Sequence, residues 1–218
     1  PKLVALVHGD TSTTMAQPFD GIGTVCRENG VLLFADACAT LGGMPVEVDD
    51  WKLDAVSSGL QKCLSGPPGS SPVTISNRAV DVVNHRKHIE GGIQPQSYVA
   101  GDGPAVLSNY LDLSMIMDYW GPTRLNHHTE ATNMLYAARE CARVALEEGL
   151  DSVFARHKLA GQALRAGLQA MGLDLIGDQS HSMPNVTGVY IPKVCGDGEG
   201  VRAQMLNDFG IEIGTSFG

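Results

Sequence analysis

Two uninterrupted apolar runs, Leu3-Val4-Ala5-Leu6-Val7 and Val31-Leu32-Leu33-Phe34-Ala35, constrain the fold of this chain more than any other feature. Each is too short for a core helix and lacks the alternation of a half-wetted strand, so each reads as a strand buried on both faces. Between them Pro18 is placed to open a short helix, with Ile22, Val25 and Cys26 on one side and Asn29-Gly30 as its stop. Strand, helix and strand in that order make a parallel βαβ unit, which puts the chain in the α/β class.

Ligands of α/β sheets sit outside the carboxyl ends of the strands, so the residues just past each run carry the functional content. The first run empties into His8-Gly9-Asp10-Thr11-Ser12-Thr13-Thr14, and the second ends on Asp36, with the small residues Ala37, Cys38 and Ala39 beyond it. A third short strand, Asp54-Ala55-Val56-Ser57-Ser58, delivers Gly59-Leu60-Gln61-Lys62, and Pro72-Val73-Thr74-Ile75-Ser76 reads as a fourth. Lys62 lies between small residues and the rigid turn Ser65-Gly66-Pro67-Pro68-Gly69. That is either a charged loop lysine or one held for Schiff-base chemistry, which needs a fixed position and room for a ligand. Asp36, at a strand end, either caps nearby backbone or faces a positive charge on a ligand.

One cofactor suits these endings. Pyridoxal 5′-phosphate needs a lysine to hold it and a carboxylate to keep its pyridine nitrogen protonated, so that the ring can accept carbanion electrons. Lys62 and Asp36 supply both, Gln61 can hydrogen-bond the ring hydroxyl, Ser12 or Thr11 can meet the ring edge, and Cys38 can pack on a ring face.

The formal charge of −9 and the scatter of fifteen Lys and Arg exclude a nucleic-acid surface, which needs a basic stripe. No run has the apolar length of a membrane span. Five cysteines, widely spaced and without a CxxC pair, suit reduced thiols and a cytoplasmic location. His127 and His128 are adjacent and therefore poorly placed as a metal pair, and Gly21-Ile22-Gly23 lacks the third glycine of a dinucleotide fingerprint. Because the chain starts inside an apolar run and stops just after another, it is expected to be an internal piece of a longer protein, inactive by itself.

The stretches His8 to Thr13, Leu32 to Asp36, Asp54 to Lys62 with Pro67-Pro68-Gly69, and Arg124-Leu125-Asn126-His127-His128-Thr129 together resemble class V aminotransferases of fold type I. The similarity spans essentially all 218 residues and is greatest to the glyoxylate-using branches, above all the (S)-ureidoglycine branch. The resemblance implies a mostly parallel sheet with helices on both faces, with residues 1–120 forming the second half of the cofactor-binding large domain. Residues 121–218 would be an interdomain helix and part of a smaller α/β C-terminal domain. It makes Lys62 the covalent anchor, Asp36 the pyridine-nitrogen partner, Gln61, Ser12 and Cys38 ring contacts, and Thr129 a contact to the phosphate of a neighbouring subunit's cofactor. A homodimer with a shared active site is implied as well.

Two positions depart from the pattern. Asn126 stands where alanine-glyoxylate enzymes commonly carry Tyr, and its amide suits a polar, amide-bearing donor; this, with Ile211 to Gly218, favours ureidoglycine over serine or alanine. Leu60 replaces a small residue and is expected to crowd the loop. Desulfurase or lyase relatives tend to carry His at the Gln61 position and need a mobile nucleophilic cysteine, and a non-catalytic binding subunit is the reading from another class.

The remaining chain reads as scaffold. Met134, Leu135, Ala138, Cys141, Ala142, Ala145 and Leu146 form a helical stripe ended by Gly149. Residues 151–171 form a second helix with Phe154, Ala160, Ala163, Leu164 and Leu168 inward. A strand is expected over 186–191, a helix over 201–207 and a strand over 211–213.

Overall fold

The structure is a computed structural model, and it describes residues 1–89, 94, 96–104, 106, 108–122 and 124–215. The sheet is built from β1 (Leu3–Val7), β4 (Leu32–Asp36), β5 (Ala55–Ser57) and β6 (Val73–Ile75), in the order β1-β4-β5-β6. The first three strands are parallel, with Val7 level with Asp36 and Asp36 level with Ser57; β6 runs antiparallel to β5. Three strands therefore end at one edge, and the ladder continues a step beyond them through His8 N–H to the Asp36 carbonyl (2.8 Å) and Ala37 N–H to the Ser57 carbonyl (2.8 Å).

β2 (Gly9–Asp10) and β3 (Met15–Ala16) form a small hairpin above this edge. Ser12 therefore lies in a hairpin tip, several residues past the end of β1. The Asp10 carboxylate shapes that tip by accepting from Ser12 N–H (3.1 Å) and the Thr13 hydroxyl (2.8 Å), and the Thr13 bond chiefly holds the carboxyl below its ordinary range.

α1 (Ile22–Glu28) crosses from β1 to β4, and its Cys26 joins Phe19, Val31, Leu33, Ala35, Leu53 and Val56 in the core. At the far end of the sheet the buried Asp54 accepts from Leu33 N–H (3.0 Å), the Ser76 hydroxyl (2.8 Å) and Arg78 Nη1 (3.3 Å). β6 and the start of α2 (Asn77–Asn84) are thereby locked to the parallel strands.

α3 (Leu113–Trp120), α4 (Thr132–Glu148), α5 (Leu150–Ala170) and α6 (Gly198–Phe209) follow along the chain. On α4 the expected stripe is half-buried at Met134, Leu135, Ala138, Cys141 and Ala145, whereas Ala142 and Leu146 are exposed. On α5 Phe154 and Leu168 are half-buried as expected, but Ala160, Ala163 and Leu164 are exposed, and Val153 and Gly161 are the buried positions. The inward face is turned because α5 packs on the backbone at Pro184, which selects a glycine rather than an apolar side chain.

Residues 186–191 and 211–213 are not strands. The first stretch makes only two ladder bonds to residues 174–176, Ile176 N–H to the Gly188 carbonyl (2.9 Å) and Tyr190 N–H to the Asp174 carbonyl (2.9 Å), around the single bridge Leu175–Val189. Among the described residues neither stretch has the continuous pairing that makes a strand. Residues 216–218 of the Ile211 to Gly218 stretch lie outside the described residues. Also among the described residues, no helix is long and apolar enough to cross a membrane.

Candidate active site

Asp36 ends β4 half-buried, and its Oδ1 accepts from the N–H of Cys38 (2.7 Å). Oδ2 has no hydrogen-bond partner among the described residues, so the carboxylate keeps acceptor capacity at the sheet edge. The neighbouring strand end is tied in by the Ser58 hydroxyl, which donates to the Ala37 carbonyl (3.1 Å).

The lysine loop leaves from Ser58. Leu60, expected to crowd it, is instead buried beneath it at 2 % exposure and anchors the turn, its carbonyl accepting from Gly66 N–H (2.7 Å). A second bond, Ser65 N–H to the Lys62 carbonyl (2.9 Å), closes a tight turn with Ser65 at φ 58°. α4 buttresses the loop: a Cβ on Gly66 would stand 2.7 Å from Cys141 Sγ, and one on Gly69 3.5 Å from Met134 Sδ. Lys62 is thus an exposed amine on a fixed backbone, and its Nζ makes no ion pair among the described residues.

Gly59 draws the predicted residues together. A Cβ there would lie 2.5 Å from Gln61 Oε1 and 3.1 Å from Cys38 Sγ, so the missing side chain lets Gln61 fold back toward Cys38. Gln61 Nε2 approaches Cys38 Sγ at 3.9 Å. Asp36, Cys38, Gln61 and Lys62 therefore belong to two adjoining loops at one edge of the sheet.

Beside them lies a cavity of about 360 Å³ whose lining includes Thr11, Lys62, Cys63, Arg156, His157 and Asn185. Arg156 is held by a bidentate pair with Glu148 (2.6 and 2.8 Å). Burial, with Arg156 adding to it, pushes His157 below the ordinary histidine range. Burial raises the Cys63 thiol above its usual value.

Of the residues singled out from the sequence only Lys62 lines this cavity; Asp36, Cys38, Gln61 and Ser12 do not, although Thr11, the neighbour of Ser12, does. Asn126 and Thr129 do not line the cavity either; both are exposed in the extended segment after α3. That segment is held by its histidines. The rings of His127 and His128 are perpendicular, with Nδ1 atoms 2.7 Å apart; His127 Nε2 donates to the Asn109 carbonyl (2.6 Å), and His128 Nε2 lies 3.0 Å from Glu130 Oε2. Arg156, His157 and Asn185 escaped the sequence reading, having no spacing signal that links them to the loops they meet.

The residues present fit pyridoxal 5′-phosphate. A primary amine on a rigid turn, a carboxylate with a free acceptor oxygen, and a side-chain amide and a thiol sharing the space left by Gly59 form the donor set that cofactor requires. Fold and site together define a fold type I, pyridoxal-phosphate class of protein. The sequence profile described as "Aminotransferase class-V" matches residues 1–215, and the chain belongs to that family, which depends on pyridoxal phosphate.

The chain is 52 % identical, over 221 aligned residues, to the (S)-ureidoglycine–glyoxylate transaminase of Bacillus subtilis strain 168, covering all of this chain and 53 % of the relative. The crystal structure of ureidoglycine-glyoxylate aminotransferase from Bacillus subtilis matches with a TM-score of 0.89 at 50 % identity, over the whole chain and 52 % of that structure. That of alanine–glyoxylate aminotransferase from Nostoc sp. matches with a TM-score of 0.87 at 37 % identity, over the whole chain and 53 % of that structure. The chain thus spans about half the length of the relatives it matches.

Proposed function

We propose that the complete protein is a pyridoxal-phosphate-dependent transaminase that moves an amino group from (S)-ureidoglycine to glyoxylate, giving glycine, in purine and ureide catabolism. The observation that carries the chemistry is that Asp36 and Lys62 stand on two adjoining loops at one sheet edge, joined where Gln61 folds against Cys38 in the space left by Gly59. Bound there, the cofactor supplies an electron sink for the bond pair left when the donor's α proton departs.

This chain's residues do the rest. Lys62 Nζ would be the group that holds the cofactor and the base that carries the α proton, and the fixed turn around it would set where that proton is collected. Asp36, with its free acceptor oxygen, would hold the cofactor's pyridine nitrogen in its protonated form, while Gln61 and Cys38 would fix the ring's position. Asn126 contributes an amide to the donor's ureido group and Thr129 contacts a phosphate, each in the site of a second copy, so the working form is a homodimer in the cytoplasm. The amide at Asn126 and the identity to the Bacillus subtilis transaminase support ureidoglycine over serine and alanine.

The test uses the full-length protein. Borohydride reduction and then mass mapping should place one cofactor adduct on Lys62, and its absence would refute the enzyme assignment in favour of a non-catalytic binding subunit. A donor panel of ureidoglycine, serine and alanine, with glyoxylate as acceptor, should show ureidoglycine turned over best. Equal or better turnover of alanine would refute the role given to Asn126.

A further inference from the structure

Asn185 reaches the site from far along the chain. Its Nδ2 donates to the Ala39 carbonyl at 2.8 Å and to Cys63 Sγ at 3.0 Å. Ala39 lies three residues past Asp36, and Cys63 one residue past Lys62. One amide nitrogen, with its two hydrogens, thus bridges the loop of the carboxylate and the loop of the lysine. A carbonyl can only accept, so the nitrogen must be the atom facing Ala39.

The other polar links between the two loops beyond Ser58 are weaker. Gln61 Nε2 lies 3.9 Å from Cys38 Sγ, and the Cys63 thiol donates to the Ala39 carbonyl at 3.5 Å. That last bond needs the thiol in its protonated form, which burial favours. Gly43 keeps the space open, since a Cβ there would stand 2.6 Å from Cys63 Sγ and 3.3 Å from Asn185 Cγ.

The segment that carries Asn185 is seated from several sides. Met183 N–H donates to the Thr14 carbonyl (2.8 Å), the Met183 carbonyl accepts from Arg165 Nη1 (3.1 Å), and the fully buried Met183 side chain fills the room left by Gly9. Asn185 Oδ1 is buried without a hydrogen-bond partner among the described residues. An apolar side chain would fill the same space without that desolvation cost, so the role of this residue lies in its nitrogen.

We propose that Asn185 is a positioning residue: by bridging the Ala39 carbonyl and the Cys63 sulfur it fixes the backbone of Lys62 relative to Asp36, resting on Lys62 being the amine that holds the cofactor. A lysine stem is flexible, so the place of its amine depends on the residues that pin its backbone.

The experiment compares full-length wild-type protein with Asn185→Asp, which keeps the shape and replaces the NH2 by oxygen, and with Cys63→Val, which keeps the Ala39 bond and removes the sulfur. In cofactor-free protein, alkylation of Cys63 at a pH alkaline enough to ionise the thiol in every variant, so that access alone limits the rate, should be about tenfold faster in N185D by mass mapping, with the exposed Cys195 as an unchanged internal standard. In loaded protein, N185D should shift the pH midpoint of the absorbance of the lysine-bound cofactor and lower kcat by about 10- to 100-fold, with KM within about twofold. C63V should move the midpoint in the same direction by less. Wild-type Cys63 reactivity in folded N185D, or an unshifted midpoint with unchanged kcat, would overturn the proposal. Failure of the wild type to form a Lys62 adduct would instead defeat the assignment of the lysine, and the alkylation rates would still decide whether the clamp exists.

Discussion

Replacing Gly161 by alanine sets helix propensity against packing, and the structure says which wins. Gly161 lies inside α5, where Gly→Ala ordinarily stabilises by about 1 kcal/mol. A Cβ there would stand 2.2 Å from the Pro184 carbonyl oxygen and 3.2 Å from Arg165 Nη1. Carbon–oxygen contacts settle near about 3.3 Å, so helix and segment must part by about 1 Å. Pro184 cannot easily give way, because Met183 is bonded to Thr14 and Arg165 on one side and Asn185 to Ala39 on the other. Overpacking of this kind costs about 1–3 kcal/mol, and each hydrogen bond lost with it about 1 kcal/mol. Allowing two such bonds and subtracting the propensity gain leaves a net destabilisation of about 2–4 kcal/mol. Gly167, in the same helix, is the matched control, because a Cβ added there would meet nothing within 4 Å. In urea titrations of the full-length protein, Gly161→Ala should unfold at lower urea than the parent and expose Cys63 to alkylation. Gly167→Ala should unfold at equal or higher urea. If the two variants behave alike, the close approach of α5 to Pro184 is not what seats the 182–185 segment.

Other parts of the fold give three further outcomes. Asp54→Ala strands the Leu33 N–H and unpairs Arg78 from a buried acceptor, and should cost about 3–5 kcal/mol in urea unfolding, whereas a loss under about 1 kcal/mol would mean that the network is solvated. Gly59→Ala pushes the flexible tip of Gln61 and crowds Cys38 Sγ, so thermal stability should hold while cofactor affinity, read by titrating the cofactor-free full-length protein, weakens about fivefold; unchanged affinity would remove this pair of side chains from the site. His8 is 2 % exposed, lies edge-on to Phe19 and Trp51, and is pushed by burial below the ordinary histidine value of 6.5. Because the unfolded chain takes up this proton first, its contribution is complete above pH 6.5 and is lost as pH falls from there toward the lower folded value. Melting temperature should therefore drop below that pH, less steeply in His8→Gln, and equal slopes for the two proteins would refute the assignment.

What was legible in the sequence was what local pattern determines. The runs at Leu3 and Leu32 are short and wholly apolar, so the order β1, α1, β4 could be read directly, but the detail could not: Leu3, Ala5 and Val7 are exposed on one face of β1, α1 starts at Ile22 behind Gly21 rather than at Pro18, and Val25 faces outward. Asp36 and Lys62 stood out because a charge at the end of an apolar run, or inside a frame of small residues, is locally anomalous. Pairing is not local. Residues 186–191 alternate like a strand, yet Gly188 comes close to Thr14, where a Cβ would stand 2.8 Å from its Cγ2, and the stretch pairs for only two bonds. The inward face of α5 was misread for a related reason: its partner is a backbone carbonyl, and hydropathy gives a glycine no weight as a packing residue. Asn185 sits 122 residues from Cys63, and nothing at either end of that separation marks the contact.

The surroundings of Cys63 also bear on which chemistry this edge of the sheet can host. A thiol that attacks substrate must be exposed, mobile and easily ionised, usually beside a cation or a helix N-terminus. Cys63 is the residue after Lys62, but burial raises its pKa and outweighs the lowering effects of the Asn185 hydrogen bond and the Lys62 charge. Its sulfur is engaged twice, as acceptor from Asn185 and as donor to the Ala39 carbonyl. A residue so held serves the geometry of its neighbour rather than reacting itself. Cys38 is likewise occupied, with Gln61 Nε2 facing its sulfur and its own N–H given to Asp36. Among the described residues the thiols of these two loops are therefore held as hydrogen-bonding groups, which leaves the proposed role of nucleophile to the lysine amine. That arrangement fits the amino-group transfer proposed above.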